Sequence, residues 1–174
     1  MAKRRKMLGD IQSAECRALM ALMGTQSKKT LALWASAYAK ERYLPLFQAV
    51  NPESAVLEDG IAACERCLAG EIKLTELKPF LKKAREMAAA EQEPVAQAAA
   101  RAISTACSAI RTPTNAFGCL LYGAAAAAYA QAGLEAKPEE YDRLAAEELG
   151  RALSSLEKAA VENEPNPAKI NWNC

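Results

Sequence analysis

The sequence predicts an all-α protein: a compact bundle or array of about seven helices around a central Ala-rich helical hairpin. Three observations predict it. Ala supplies much of the 51% apolar content while Phe and Trp are scarce, and Ala is the best helix former and small enough to let helices pack closely. Apolar residues recur at the i, i+3, i+4 spacing of a helix face in one segment after another. No segment shows strand alternation bounded by turn dipeptides. At 174 residues the chain reads as one domain, residues 1–174, with a flexible basic start at 1–9 and a non-helical tail at 164–174.

The punctuation divides the chain. A first helix is expected over 10–23, with Asp10 as its N-cap, Ile11, Leu19, Leu22 and Met23 on its apolar face, and Gly24 closing it. Ser27 or Thr30 opens a second, in which Leu31, Trp34, Ala35, Tyr38, Arg42 and Leu46 recur at helical spacing. Pro45 should kink or end it near Tyr43-Leu44, because proline removes a donor and restricts its predecessor. Asn51-Pro52-Glu53 reads as a helix start and leads through Val56, Leu57, Ile61, Cys64 and Leu68 to Gly70.

A fourth helix begins near Thr75, where Pro79 is tolerable only in the first turn. Its Leu77, Phe80, Leu81, Ala84, Met87 and Ala88 share one face, and Lys78, Lys82, Lys83 and Arg85 fall largely on the other. Pro94 opens an Ala-rich fifth helix ending near Arg111. Thr112-Pro113-Thr114 breaks the chain, and a sixth helix runs from about Asn115 to Ala132, with Gly133 after it. Pro138 opens a seventh, interrupted in pattern by Gly150, with the apolar stripe Tyr141, Leu144, Ala145, Leu149, Ala152, Leu153, Leu156 and Ala159. The tail beyond Glu162 should dock Trp172 on the body. The two charge-poor helices, around 95–110 and 115–132, form the expected central hairpin, wrapped by the amphipathic ones.

Composition narrows the function. Charged residues make up 25% and the formal net charge is +1, a balance with no general pull toward nucleic acid or an acidic membrane. The uncharged stretch 112–134 is long enough to span a bilayer, but its Ala, Gly, Pro and Asn content favours a helix inside a protein core. The basic start Lys3-Arg4-Arg5-Lys6 is not followed by an apolar run, so no secretory leader is read and a cytoplasmic location is expected. The six cysteines, Cys16, Cys64, Cys67, Cys107, Cys119 and Cys174, are then read as mostly reduced core residues.

The chain has no His, which removes the usual general base near neutral pH and the commonest metal ligand. No Gly-rich phosphate loop is present. Cys64-Glu65-Arg66-Cys67 has metal-motif spacing, but zinc needs two further ligands and no second pair exists, so i and i+3 thiols packing inward is the reading. Neither catalytic residues nor a metal or cofactor are expected. The polar residues that remain are candidates for contact with a protein partner. Trp34, Tyr38, Glu41 and Arg42 combine aromatics with Arg as interaction hot spots do, although Trp34 and Tyr38 are equally suited to anchor the core. Arg101, Asn115 and Tyr122 flank the hairpin turn, where they either line a polar pocket or, for Arg101, pair with an acid on a neighbouring helix.

The run Leu31-Ala32-Leu33-Trp34-Ala35 followed by Ala39-Lys40-Glu41-Arg42-Tyr43-Leu44-Pro45-Leu46-Phe47 begins an ordered set of motifs. Ala62-Ala63-Cys64, Leu68-Ala69-Gly70-Glu71-Ile72, Ala84-Arg85, Ala98-Ala99-Ala100-Arg101-Ala102 and Tyr122-Gly123 with the Ala run to Tyr129 continue it. In that order they resemble the all-helical, Ala-rich immunity proteins encoded beside bacterial polymorphic toxins, over most of residues 30–133. The resemblance implies a cytoplasmic antitoxin that binds and blocks a cognate toxin protein without catalysis. Many members of that family carry His in the two Ala-rich helices, where this chain has residues such as Thr105 and Asn115, so no His-based site carries over. A helical adaptor or scaffold, acting as a homodimer, is the alternative expectation.

Overall fold

The computed structural model describes residues 3–173; Met1, Ala2 and Cys174 lie outside the described residues. Among the described residues the regular structure is entirely helical: α1 (Ala14–Met23), α2 (Lys28–Arg42), α3 (Leu44–Gln48), α4 (Val56–Leu68), α5 (Leu74–Ala90), α6 (Pro94–Cys107), α7 (Asn115–Ala132) and α8 (Pro138–Ala159), with a 3-10 turn at Ser108–Ile110. The helix beyond the expected seven is α3, five residues long. Pro45 separates it from α2, and Tyr43 serves as the junction.

The α6/α7 hairpin lies at the centre. Ala98, Ala99, Ala100, Ala102 and Ala106 of α6 and Ala124, Ala125, Ala126 and Ala128 of α7 are buried, and methyl-sized side chains let two helix axes approach closely. Helix α2 crosses this pair and also touches α4 and α8; α4 and α5 cover α6, while α8 covers α7 and α1 packs on α8. Tyr43 is fully buried where α2 meets α7, and a Cβ on Gly123 would lie 1.9 Å from its Cζ. Only glycine leaves room for that ring. Among the described residues no helix is long and apolar enough to cross a membrane.

Several boundaries differ from the sequence expectation, each for a local reason. Asp10 is not the N-cap of α1. Its carboxylate accepts from Gln12 N at 2.9 Å and its carbonyl from Ser13 N at 2.9 Å, a turn that hands the cap to Ser13, whose hydroxyl accepts from Cys16 N at 3.2 Å. Asn51-Pro52-Glu53 does not start α4, which begins at Val56. The Asn51 amide instead donates to Glu91 Oε2 at 2.6 Å, tying the loop to the end of α5. Pro79 sits in the second turn of α5, whose start is fixed earlier by Glu76 accepting from Lys73 N at 2.7 Å. The carbonyl it leaves without a donor belongs to Thr75, which is exposed, so water satisfies it. Helix α6 stops at Cys107 and tightens into the 3-10 turn before Arg111. Gly150 does not interrupt α8, which runs unbroken for 22 residues.

Within the segment expected to be a flexible basic start, Arg5, Leu8 and Gly9 lie against α7 and α8. Leu8 is 2% exposed and donates its N–H to the Leu121 carbonyl at 3.0 Å; Tyr129 Oη donates to the Arg5 carbonyl at 2.6 Å, and Arg5 reaches Asp142 at 2.8 Å. Gly9, at φ 121°, permits the close approach, since a Cβ there would lie 2.8 Å from Leu149 Cδ1. Residues 164–173 are non-helical and tied to the body. The buried Gln26 side chain donates to the Val161 carbonyl at 3.1 Å and accepts from Val161 N at 2.8 Å. Glu164 accepts from Ser27 N at 2.8 Å, Ser27 Oγ at 2.7 Å and Thr30 Oγ1 at 2.5 Å, placing a carboxylate on the positive end of α2. Trp172 packs edge-on against Phe117, with centroids 5.7 Å apart.

Candidate functional site

Two clusters collect the polar residues that the sequence singles out. The first is internal. Helix α2 places Trp34, Tyr38 and Arg42 one turn apart, and Tyr38, Arg42 and Tyr43 converge on Glu148 of α8. Glu148 is 3% exposed and accepts from Tyr38 Oη at 2.8 Å, Tyr43 Oη at 3.1 Å and Arg42 Nη2 at 2.7 Å. Trp34 stacks on Tyr38 at 5.4 Å and donates its indole N–H to Ser155 Oγ at 3.0 Å. Burial and then the neighbouring Glu148 charge push the Tyr38 phenol well above its ordinary pKa, and the same causes, in the same order, raise Tyr43. The hydrogen bond to Glu148 raises Arg42. Both phenols and the guanidinium thus hold their protons, and the buried charge is met on three sides. With Trp34 at 5% and Tyr38 at 4% exposure, this cluster is an interior strut between α2 and α8.

Sequence reasoning missed Glu148. The signal was there: it lies three residues beyond Ala145 and four before Ala152 in the apolar stripe of α8, a carboxylate on a face otherwise buried. Glu41, adjacent to Arg42, points away from the cluster and is exposed, and Asn115 is half-buried at the start of α7.

The second cluster opens to solvent. Arg101, Ser104 and Thr105 of α6, Tyr122 of α7, and Arg85, Ala88 and Ala89 of α5 line an open groove of about 280 Å³. The expected pairing of Arg101 with an acid on a neighbouring helix is not formed. No Asp or Glu lines the groove, and neither Arg101 nor Arg85 makes an ion pair among the described residues. Of the hairpin residues proposed from sequence, Arg101 and Tyr122 therefore meet, and Asn115 stands apart. Arg85 joins them because the cationic face of α5 borders the hairpin.

Among the described thiols, Cys16, Cys64, Cys107 and Cys119 are buried. Cys64 is buried and donates to the Cys107 carbonyl at 3.4 Å, while Cys67 is half-buried on the same helix. Burial pushes Cys119 up to about 12, and Cys107 is raised first by its hydrogen bond with Cys64 and then by burial. Among the described residues no group of three or more His, Cys, Asp or Glu side chains is placed to hold a metal ion.

Comparison with known families agrees with the order of motifs in the sequence. The family model described as Imm-5 like putative immunity protein matches residues 21–159, most of the chain. The chain belongs to that family. No curated protein and no solved structure gives a significant match. Within this Imm-5 like chain the matched region contains both clusters whole, from Trp34 through Ser155, and all of α2 to α8. The packed basic start and the tail clasp lie outside it.

Proposed function

We propose that this Imm-5 like protein is a non-catalytic antitoxin of a bacterial polymorphic toxin system, acting in the cytoplasm by binding and neutralising a cognate toxin protein. The observation that carries this reading is the family match across residues 21–159. The chemistry is consistent with it. The chain has no His, the Cys64 hydrogen bond and burial raise the Cys107 thiol above its ordinary range, burial raises the Cys119 thiol, and the buried carboxylate is occupied by two phenols and a guanidinium. A binding protein needs a surface whose charge complements its partner's, and the groove of Arg101, Arg85 and Tyr122 supplies unneutralised positive charge in a chain of near-zero net charge.

The test is co-expression with a toxin-domain protein chosen from the products of its neighbouring genes. Rescue of growth together with stoichiometric co-purification is expected. Toxicity unrelieved by the protein, with the chain recovered alone as a stable homodimer, would replace this reading with that of a self-associating helical scaffold.

A further inference from the structure

The groove between α5, α6 and α7 holds guanidinium groups that the fold leaves unused. Arg5, Arg42, Arg66 and Arg143 each reach a carboxylate. Arg101 is half-buried and, like Arg85, has neither ion pair nor hydrogen bond among the described residues, although both line one short groove. Two guanidinium groups beside one groove that no carboxylate lines favour the entry of an anion. Ser104, Thr105 and Tyr122 bring hydroxyl groups to the same lining, and Ala88 contributes an apolar wall.

We propose that this groove is a carboxylate subsite that receives an Asp or Glu side chain from an acidic loop of the protein partner. The proposal rests on the partner-binding reading and names the chemistry of its contact. A guanidinium presents parallel N–H donors that match a carboxylate bidentately, and hydroxyl donors beside it serve the remaining lone pairs. Lys78, at an exposed position two turns before Arg85 on the same face of α5, extends the positive field that steers an acidic surface toward the groove. A nucleic-acid strand is a poorer match, because backbone recognition needs cations spaced along an extended track with stacking aromatics. Here the cations meet at one groove of about 280 Å³.

The probe is a blocked tripeptide of glutamates, titrated into the isotopically labelled full chain while the guanidinium N–H resonances of Arg85 and Arg101 are followed by NMR. Saturable shifts of both are expected, weakened about tenfold or more in Arg101→Gln and in Arg85→Gln, and unchanged in Arg143→Gln. Because neither groove arginine has an intramolecular partner, both Gln variants should melt within a few degrees of the parent. Four results overturn the subsite: shifts no larger than those caused by sodium chloride at equal ionic strength, equal or tighter saturation by inorganic phosphate, a stronger response to a short single-stranded oligonucleotide, or shifts that persist in both Gln variants. Failure here is separable from failure of the antitoxin reading. A toxin that co-purifies equally with the parent and with the Arg85→Gln/Arg101→Gln double variant removes the subsite and leaves the antitoxin role standing.

Discussion

Glu148 is 3% exposed, so its charge has to be met inside the fold, and Arg42, Tyr38 and Tyr43 meet it. Removing the cation strands the carboxylate. Arg42→Ala is expected to destabilise by about 3 kcal/mol in denaturant titration, at the lower end for a broken buried pair because the Arg42 side chain is 31% exposed. A loss below about 1 kcal/mol would mean that water takes the place of Arg42. The two phenols give a second handle. Their native pKa values are raised above the unfolded value of about 10, so their contribution is complete below that pH. As pH climbs past it, the unfolded chain gives up protons that the native state keeps, and stability falls. Phenolate absorbance from Tyr38 and Tyr43 should therefore appear only together with loss of helical signal, and Tyr38→Phe should make the alkaline decline shallower. Gly123 completes the strut. Gly123→Ala places a methyl group against the Tyr43 ring and should cost more than about 3 kcal/mol. Tyr43→Leu in the same chain should recover part of that loss, a coupling that a double-mutant cycle reads directly.

Among the elements, those legible in the sequence were the ones whose signals act through the backbone. Pro45, Pro94, Pro138 and the break at Pro113 each mark a helix boundary found in the structure, because a missing N–H and a fixed φ constrain any fold. Side-chain caps were less legible. Asp10 and Asn51 carry the chemistry of an N-cap, but the same oxygen or amide serves a turn or a distant carboxylate equally well, and only tertiary placement decides. The site divides in the same way. Trp34, Tyr38 and Arg42 were visible as a polar face, yet their partners Ser155 and Glu148 lay in α8, more than a hundred residues away, as the sequence separation of 106 between Arg42 and Glu148 shows. Periodicity reports which face is buried and gives no pairing across elements. Glu164 is the corresponding case in the tail, where it caps α2 from outside that helix. The hydroxyl of Thr30 first, then the Ser27 N–H, hold its carboxyl below the usual range. Its contribution is therefore present above the unfolded carboxyl pKa of about 4.3 and lost as pH falls through the lowered native value. Glu164→Gln should melt below the parent at neutral pH, and the two melting curves should converge in acid. A difference that persists unchanged in acid would show that the carboxylate charge has no part in the cap.

In the whole molecule, both terminal segments are held by groups far away in sequence. The start lies on α7 and α8 through Leu8, Tyr129 and Asp142, and the tail runs from the Glu164 contact at the head of α2 to Trp172 against Phe117 in the first turn of α7. Each segment is tied to elements that pack on the central hairpin. This predicts one cooperative unfolding transition. The two tryptophans make the prediction measurable, because Trp34 reports the α2–α8 strut through its bond to Ser155 while Trp172 reports the tail. In Trp172→Phe the remaining fluorescence should follow Trp34; in Trp34→Phe it should follow Trp172, and both transitions should coincide with the loss of helical circular dichroism. An earlier transition confined to the Trp172 signal would identify the tail as a separately released strap, and the Glu164 cap would then be a local contact with no share in global stability. Coincidence instead makes the clasp part of the same cooperative unit as Glu148, so that a partner binding at the α5–α6–α7 groove meets one rigid framework.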